Sequence, residues 1–383
     1  AFLIPYIFFI CLFGFVGLSA EFAIGRKAGT GTLGSYELCW KEKKKEKVGK
    51  VLGWIPLLGS LGIAIGYSVI IGWVLRFLCG SVTNTVLEQD SAEYFADVTA
   101  FMGNVPWHVL VFRSTVIVLL IGAATQIEKA NKILMPLFFV LFSILAVRVF
   151  FLPGAKEGYE FLFVPKWEAL ANIDTWVMAM GQAFFSLSIT GSGMIVYGSY
   201  LSKKEDIPRA SMQTAFFDTI AAMLSALAIM PAVFAFGIEP SAGPSLMFVT
   251  IPNIFKQMPM GRLFAVIFFL SVCFAGITSL INMFEAVIES WQHKFKLKRN
   301  HAVLLCGALT LIVGLFMEEE ARVGTWMDFI TIIVVPFGAV LGAISIYYIL
   351  GFDKIKEELK EGRKKGLSKI FKPTAKYIYV PLT

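Results

Sequence analysis

The sequence predicts an all-α polytopic membrane protein, and three observations carry that prediction. The first is composition. Of 383 residues, 57% are apolar, only 16% are charged and 36 are Phe, with a mean hydropathy of +0.73. A soluble core of this size needs far more charge on its outside, so hydrocarbon is the expected solvent. The same balance excludes disorder, collagen-like repeats and a disulfide-stapled mini-domain. The second is a series of nine apolar segments, roughly 1–20, 54–80, 107–126, 133–152, 175–200, 213–237, 262–291, 302–317 and 325–351. A helix needs about 20 apolar residues to cross a bilayer. The third is charge asymmetry. Alternate connections (22–50, 127–132, 201–212, 293–301 and 352–376) carry 26 of the 34 Lys and Arg. By the positive-inside rule those connections are cytoplasmic. The net +7 is then topology and contact with anionic lipid, with no nucleic-acid partner.

The segments can be taken in order. This orientation puts residue 1 outside, in a cell (inner) membrane protein. The chain starts inside an apolar run and ends as another begins, at Tyr377–Thr383. We therefore expect a further spanning helix before residue 1 and one after Thr383. After the first segment, Gly29-Thr-Gly31-Thr-Leu-Gly34 matches GxGxxG. It follows a helix rather than a strand, so a flexible cytoplasmic loop is the better reading than a nucleotide cradle. The run Lys41–Lys47 holds that loop inside. In the second segment Gly59, Gly62 and Gly66 share part of a helix face, the usual mark of close helix packing. Tyr67 follows them as a core ring or as a donor reaching into a cavity. Arg113 lies early in the third segment and can snorkel if that span begins a little later.

The fifth segment is the most informative. Ser186, Ser188, Thr190 and Ser192 recur at every second position, with Gly191 and Gly193 among them near mid-span. Period-two hydroxyls make no single helical face, and each Gly weakens a helix by about 1 kcal/mol relative to Ala. Two readings stay open. One is a helix broken at 188–193, whose freed carbonyls hold a cation or an ammonium group. The other is an intact helix with Ser bonded to its own carbonyls and Gly used for packing. In the sixth segment Asp218 is an ionisable group inside a span, marking an ion or proton pathway, or else a partner for a hydroxyl. In the seventh, the Ala275 carbonyl with Thr278 and Ser279 offers three neutral oxygens to a hard monovalent ion, or bonds within its own helix. Glu285 and Glu289 approach the cytoplasmic end and meet water. Asp328, near the outer end of the ninth, reads as a carboxylate opening a helix. The tail 352–370 reads as a solvated charged helix. The five Cys are scattered, and His108, His293 and His301 share no ligand spacing, so neither a disulfide framework nor a zinc site is expected.

Several stretches together resemble the bacterial branch of the neurotransmitter:sodium symporter family. They are Ala1-Phe-Leu-Ile-Pro-Tyr6, Glu21–Arg26, Gly66-Tyr67 with Gly72-Trp73, Asn131–Pro136, Gly181–Ser188, Tyr197–Tyr200, Val249–Phe255 and Phe274–Ser279. The resemblance implies an inverted-repeat, five-plus-five helix transporter fold, here incomplete. The nine segments would be family helices two to ten, with a partial first repeat at 1–152 and a second at 175–351 forming a core over 1–351. Residues 352–376 would be a cytoplasmic basic segment and 377–383 the start of a truncated helix.

The resemblance also implies roles. Tyr67 would bond the substrate carboxylate and Phe185 would close over it, with Ile63, Ser186, Ser188, Gly191, Ser279 and Met283 around the substrate. Ser186 and Asp218 would hold a first sodium ion, and Ala275, Thr278 and Ser279 a second. Asp328 and Tyr200 would be gate residues, while His293 replaces the usual acid of the cytoplasmic gate. Asp218 stands where an Asn ligand is expected, and its added charge implies independence from chloride. Gly191 in place of a ring, with Met283, leaves room for a larger cargo. The implied function is sodium symport of a hydrophobic or aromatic amino acid by alternating access. Sodium ions are the only inorganic requirement, no organic cofactor is implied and the oligomeric state is left open. The rivals are a proton-coupled or uniporting carrier of the same fold, and a channel or receptor-like membrane protein. No nucleophile–base pair suggests an enzyme.

Overall fold

The computed structural model describes residues 1–121, 124–237, 243–363 and 366–383. The chain enters as α1 (Leu3–Ala28), which runs on past the apolar run that predicted it. Glu21 and Arg26 are therefore buried inside α1 rather than placed in a loop. Gly29, left-handed at φ 62°, ends it in the manner of a helix C-cap. Two shorter helices follow, α2 (Thr32–Lys41) and α3 (Glu46–Leu52). The GxGxxG stretch is thus the turn between α1 and α2. It is not a flexible loop: residues 30–36 are buried, and the Gly31 N–H donates to Glu289 Oε2 at 2.5 Å.

The long α4 (Trp54–Thr83) occupies the second predicted span, and α5 (Val105–Ile121) the third. Its last predicted turn includes 122–123, outside the described residues. Arg113 lies well inside α5, which already begins at Val105, and its side chain is exposed. Next come α6 (Ala124–Phe150) and the pair α7 (Ile173–Ser186) and α8 (Gly193–Tyr200). Then follow α9 (Ile207–Ala235), α10 (Gly261–Phe295) and α11 (Arg299–Leu315). Asn172 and Asp206 cap α7 and α9 by accepting the N–H groups of Asp174 and Arg209, satisfying donors that a helix start leaves orphaned. The last spanning element, α12, covers 320–351, and α13 (Phe352–Lys360) turns off it at Gly351, φ 93°. A final helical stretch, α14, covers 371–382.

Among the described residues, six helices are long and apolar enough to cross a membrane, and α5 and α11 are shorter apolar helices. The nine predicted spans fall on these eight and on the α7–α8 pair. At the centre α4 lies along α10, where Ile71 fills the space over Gly276. The small-residue face of α4 lies against α12, with Gly59 under Val334, Gly62 under Ile330 and Gly66 under Met327. Trp326 Nε1 donates to the Gly62 carbonyl at 2.8 Å. α1 crosses α8 at Gly25 and Gly198, where backbone meets backbone with no room for a Cβ on either side. Such approaches are the usual work of glycine between helices in lipid.

The tail is not a solvated helix. Phe352, Ile355 and Leu359 are buried in the cluster that includes α1, and Glu358 pairs with the buried Arg26 at 2.9 Å.

Candidate functional site

The polypeptide between α7 and α8 is not helical. Ser188 adopts φ 52° and Gly191 φ 71°, left-handed values that end a right-handed helix. Of the two sequence readings, the broken helix is the one observed. The break is held against three elements. The Gly191 N–H donates to Glu21 Oε1 of α1 at 2.9 Å. Ser192 Oγ meets Thr32 Oγ1 of α2 at 2.9 Å. The Thr190 carbonyl lies against Gly338 of α12. Buried backbone away from water needs such partners.

A cavity of about 220 Å³ opens on this break. Ile63 and Tyr67 reach it from α4, Phe185 and Ser186 from the end of α7, and Ser188 and Thr190 from the break itself. Ser279, Asn282 and Met283 close it from α10, and Met194 and Tyr197 from α8. Tyr67 and Ser279 line it together, and the Tyr197 hydroxyl donates to Asn282. Seven of the eight residues expected around substrate are thus brought together. The eighth, Gly191, is a correction. It does not line the cavity but lies behind the break, where a Cβ would strike the Gly338 carbonyl at 2.5 Å and the Tyr36 hydroxyl at 2.8 Å. The glycine that faces the cavity is Gly193, with open space around it.

The candidate ion ligands divide. Ser186 Oγ donates to Asp218 Oδ2 at 2.6 Å, and the Tyr6 hydroxyl approaches Ser186 Oγ at 3.4 Å. This joins α1, α7 and α9 beside the cavity. On α10, Thr278 Oγ1 donates back to the Ala275 carbonyl at 2.9 Å, while Ser279 faces the cavity. Ala275 lies on a neighbouring apolar cavity of about 410 Å³ that shares Tyr67. Asp328, on α12, is exposed and lies outside the cavity lining.

Beyond the cavity along α8 and α10, Tyr200 donates to Glu285 Oε1 at 2.5 Å. Glu285 is fully buried and takes both arms of Arg299, at 2.9 and 2.8 Å. Glu289 accepts from Thr30 Oγ1 at 2.8 Å as well as from Gly31. The two glutamates are therefore tied to protein rather than left to water, and His293 lies beside Gly34 of α2. Sequence reasoning missed Glu21 as well. Its signal was an ionisable group at the end of an apolar run that, carried one turn further, becomes a buried residue.

Residues 94–378 match the profile described as the sodium:neurotransmitter symporter family. The chain belongs to that family. It is 31% identical to the uncharacterized sodium-dependent transporter YhdH of Bacillus subtilis, over 96% of this chain and 84% of that protein. An uncharacterized sodium-dependent transporter of Methanocaldococcus jannaschii is 31% identical over 94% of this chain and 77% of its own length. The crystal structure of MhsT in complex with L-phenylalanine superimposes with a TM-score of 0.88 at 29% identity, covering 100% of this chain and 89% of that one. As a member of this symporter family the chain is a sodium-dependent membrane transporter and not an enzyme, and its all-helical architecture is the family's transporter fold.

Proposed function

We propose that this symporter carries a hydrophobic or aromatic amino acid together with sodium by alternating access, without chloride, in the cell (inner) membrane. The observation that carries the reading is the cavity at the α7–α8 break, where Ser186, Ser188, Thr190 and Ser279 supply hydroxyls and Ile63, Phe185 and Met283 supply apolar walls. Its volume of about 220 Å³ is below the roughly 300–1,000 Å³ of drug-sized pockets, which suits one amino acid. The L-phenylalanine bound by MhsT supports the choice of cargo.

In this reading Tyr67 donates to the cargo carboxylate and Phe185, 40% exposed, folds over it. Ser186 and Asp218 hold the first sodium ion, and the Asp218 charge replaces an anion beside it. Ala275, Thr278 and Ser279 hold the second once Thr278 turns from its own helix. Sodium and carboxylate stabilise the same state, which couples their movement. Asp328 gates the outer side and Tyr200 the inner, residue 1 is outside, and 352–376 is cytoplasmic. The test is uptake of radiolabelled L-phenylalanine into vesicles, with sodium replaced by choline and chloride by gluconate. Uptake should vanish without sodium and persist without chloride. Uptake unchanged in choline would instead support proton coupling at Asp218.

A further inference from the structure

Away from the substrate cavity, α5 holds a fully buried polar cluster. His108 and Glu318 have no measurable exposure, and Ser68 is 2% exposed. His108 Nδ1 lies 2.7 Å from Glu318 Oε1, and His108 Nε2 lies 3.0 Å from Ser68 Oγ. Ser68 Oγ also donates to the Ile65 carbonyl at 2.7 Å.

Counting hydrogens decides the protonation of this chain. Ser68 has one hydroxyl hydrogen, and a carbonyl oxygen has none to offer. At 2.7 Å that hydrogen lies between Ser68 and Ile65. The contact to Nε2 then needs its hydrogen from the imidazole, so Nε2 is protonated. The Nδ1–Oε1 contact needs another. The pair therefore holds two protons, either as imidazolium with carboxylate or as imidazole with carboxylic acid. Both forms have no net charge, as a site closed to water demands. Glu318 Oε2 has no hydrogen-bond partner among the described residues, which weighs further against an unneutralised carboxylate.

The charged groups that neighbouring elements bring to this outer end are engaged elsewhere. Arg76 of α4 binds Asp97 and the Gly103 carbonyl. Arg322 of α12 pairs with Glu319 at 3.1 Å. Arg262 of α10 donates to the Val82 carbonyl, and Arg148 of α6 stacks over Phe264. From α11, Gly314 lies against the ring.

We propose that His108 and Glu318 form a proton-binding site, and that its occupancy sets the hydrogen bonding of α4 next to Tyr67. Loss of the proton leaves a net negative pair. Nε2 then becomes an acceptor, and Ser68 must turn from Ile65 to donate to it. The bond released lies one residue from the cavity residue Tyr67, so outer-side pH becomes an input to the substrate helix. This goes beyond sodium coupling and does not involve Asp218.

Only three histidines are present, so nitrogen-15 histidine labelling of the full chain in lipid bilayers gives a direct test. His293→Gln and His301→Gln identify the other two signals and leave His108 intact. Solid-state NMR at neutral pH should find Nε2 of His108 protonated, as the hydrogen count requires. A bare Nε2 with protonated Nδ1 overturns the proposal. In a second arm, sodium-dependent uptake of L-phenylalanine should fall at least twofold on the alkaline side in the wild type, and stay level in Glu318→Gln. Identical pH profiles would refute the link to α4. The spectroscopic arm needs no substrate, so failure of the cargo assignment is separable from failure of the proton site.

Discussion

Asp218 is one hydrogen bond away from the cavity, through Ser186. As a carboxylate it gives the proposed sodium ion a full countercharge. Two unit charges about 4 Å apart attract by about 4 kcal/mol at the effective dielectric of a protein surface. Asp218→Asn keeps the shape and the acceptor oxygen but removes the charge. The sodium concentration for half-maximal uptake should rise at least tenfold, and added chloride should recover part of the loss. Sodium titrations in chloride and in gluconate read both effects, and an unaltered titration would refute the role. Glu21 acts on a neighbouring atom of the same break by a different force. Its carboxyl accepts the Gly191 N–H, and Glu21→Ala would leave that donor buried and unpaired. Such an orphan costs about 1–3 kcal/mol. Thermal unfolding in detergent should show Glu21→Ala clearly destabilised and Glu21→Gln, which still accepts, much less so.

Helices here are placed by what their glycines allow. Gly25 of α1 lies against the backbone of Ile195 and Ser199 of α8, and Gly198 of α8 against that of Phe22 of α1, so Gly25→Ala must push the two helices apart. Gly181 of α7 faces open space, and Gly181→Ala gains helix propensity of up to about 1 kcal/mol. The same chemical change should therefore prevent recovery of folded protein at 25 and raise the apparent melting temperature at 181. Equal behaviour at both sites would refute the close crossing. This scale also marks where the sequence was readable. Spans were legible because an apolar run has one meaning in lipid, and the α4 glycines because small residues at that spacing have few other uses. The break stayed open because alternating hydroxyls serve an intact helix as readily as a broken one. Gly191 was assigned to the wrong side because residue type does not tell which face of irregular backbone a glycine turns to a neighbour. Glu285 looked like a charge for water because its partner, Arg299, joins it only through tertiary structure.

Across the whole molecule, in the orientation proposed above, the cytoplasmic end is held shut by ties between elements far apart in sequence. Tyr200 of α8 and Arg299 of α11 meet on Glu285 of α10. The α1–α2 turn is fixed on Glu289 of the same helix, and α13 is fixed on α1 by Arg26 and Glu358. In that orientation the cavity residues Ser279 and Met283, which precede Glu285 and Glu289 along α10, lie on the outer side of these ties. A carrier working by alternating access has to release them to open inward, so their strength sets the population of the inward-open state. Glu285→Gln keeps an acceptor for Tyr200 but leaves the guanidinium of Arg299 without its countercharge. Every 1.4 kcal/mol lost from the closed side shifts that population about tenfold. A cysteine placed at Met194, on the cavity wall, reports the shift once Cys11 and Cys79 are replaced by Ser. Modification by a membrane-impermeant thiol reagent applied from the cytoplasmic face should be at least severalfold faster in Glu285→Gln than in the parent. Sodium should slow it in both, because an ion bound beside Ser186 and Asp218 favours the outward-facing form. Equal rates with and without the substitution would mean that the inner closure rests on helix packing rather than on charge.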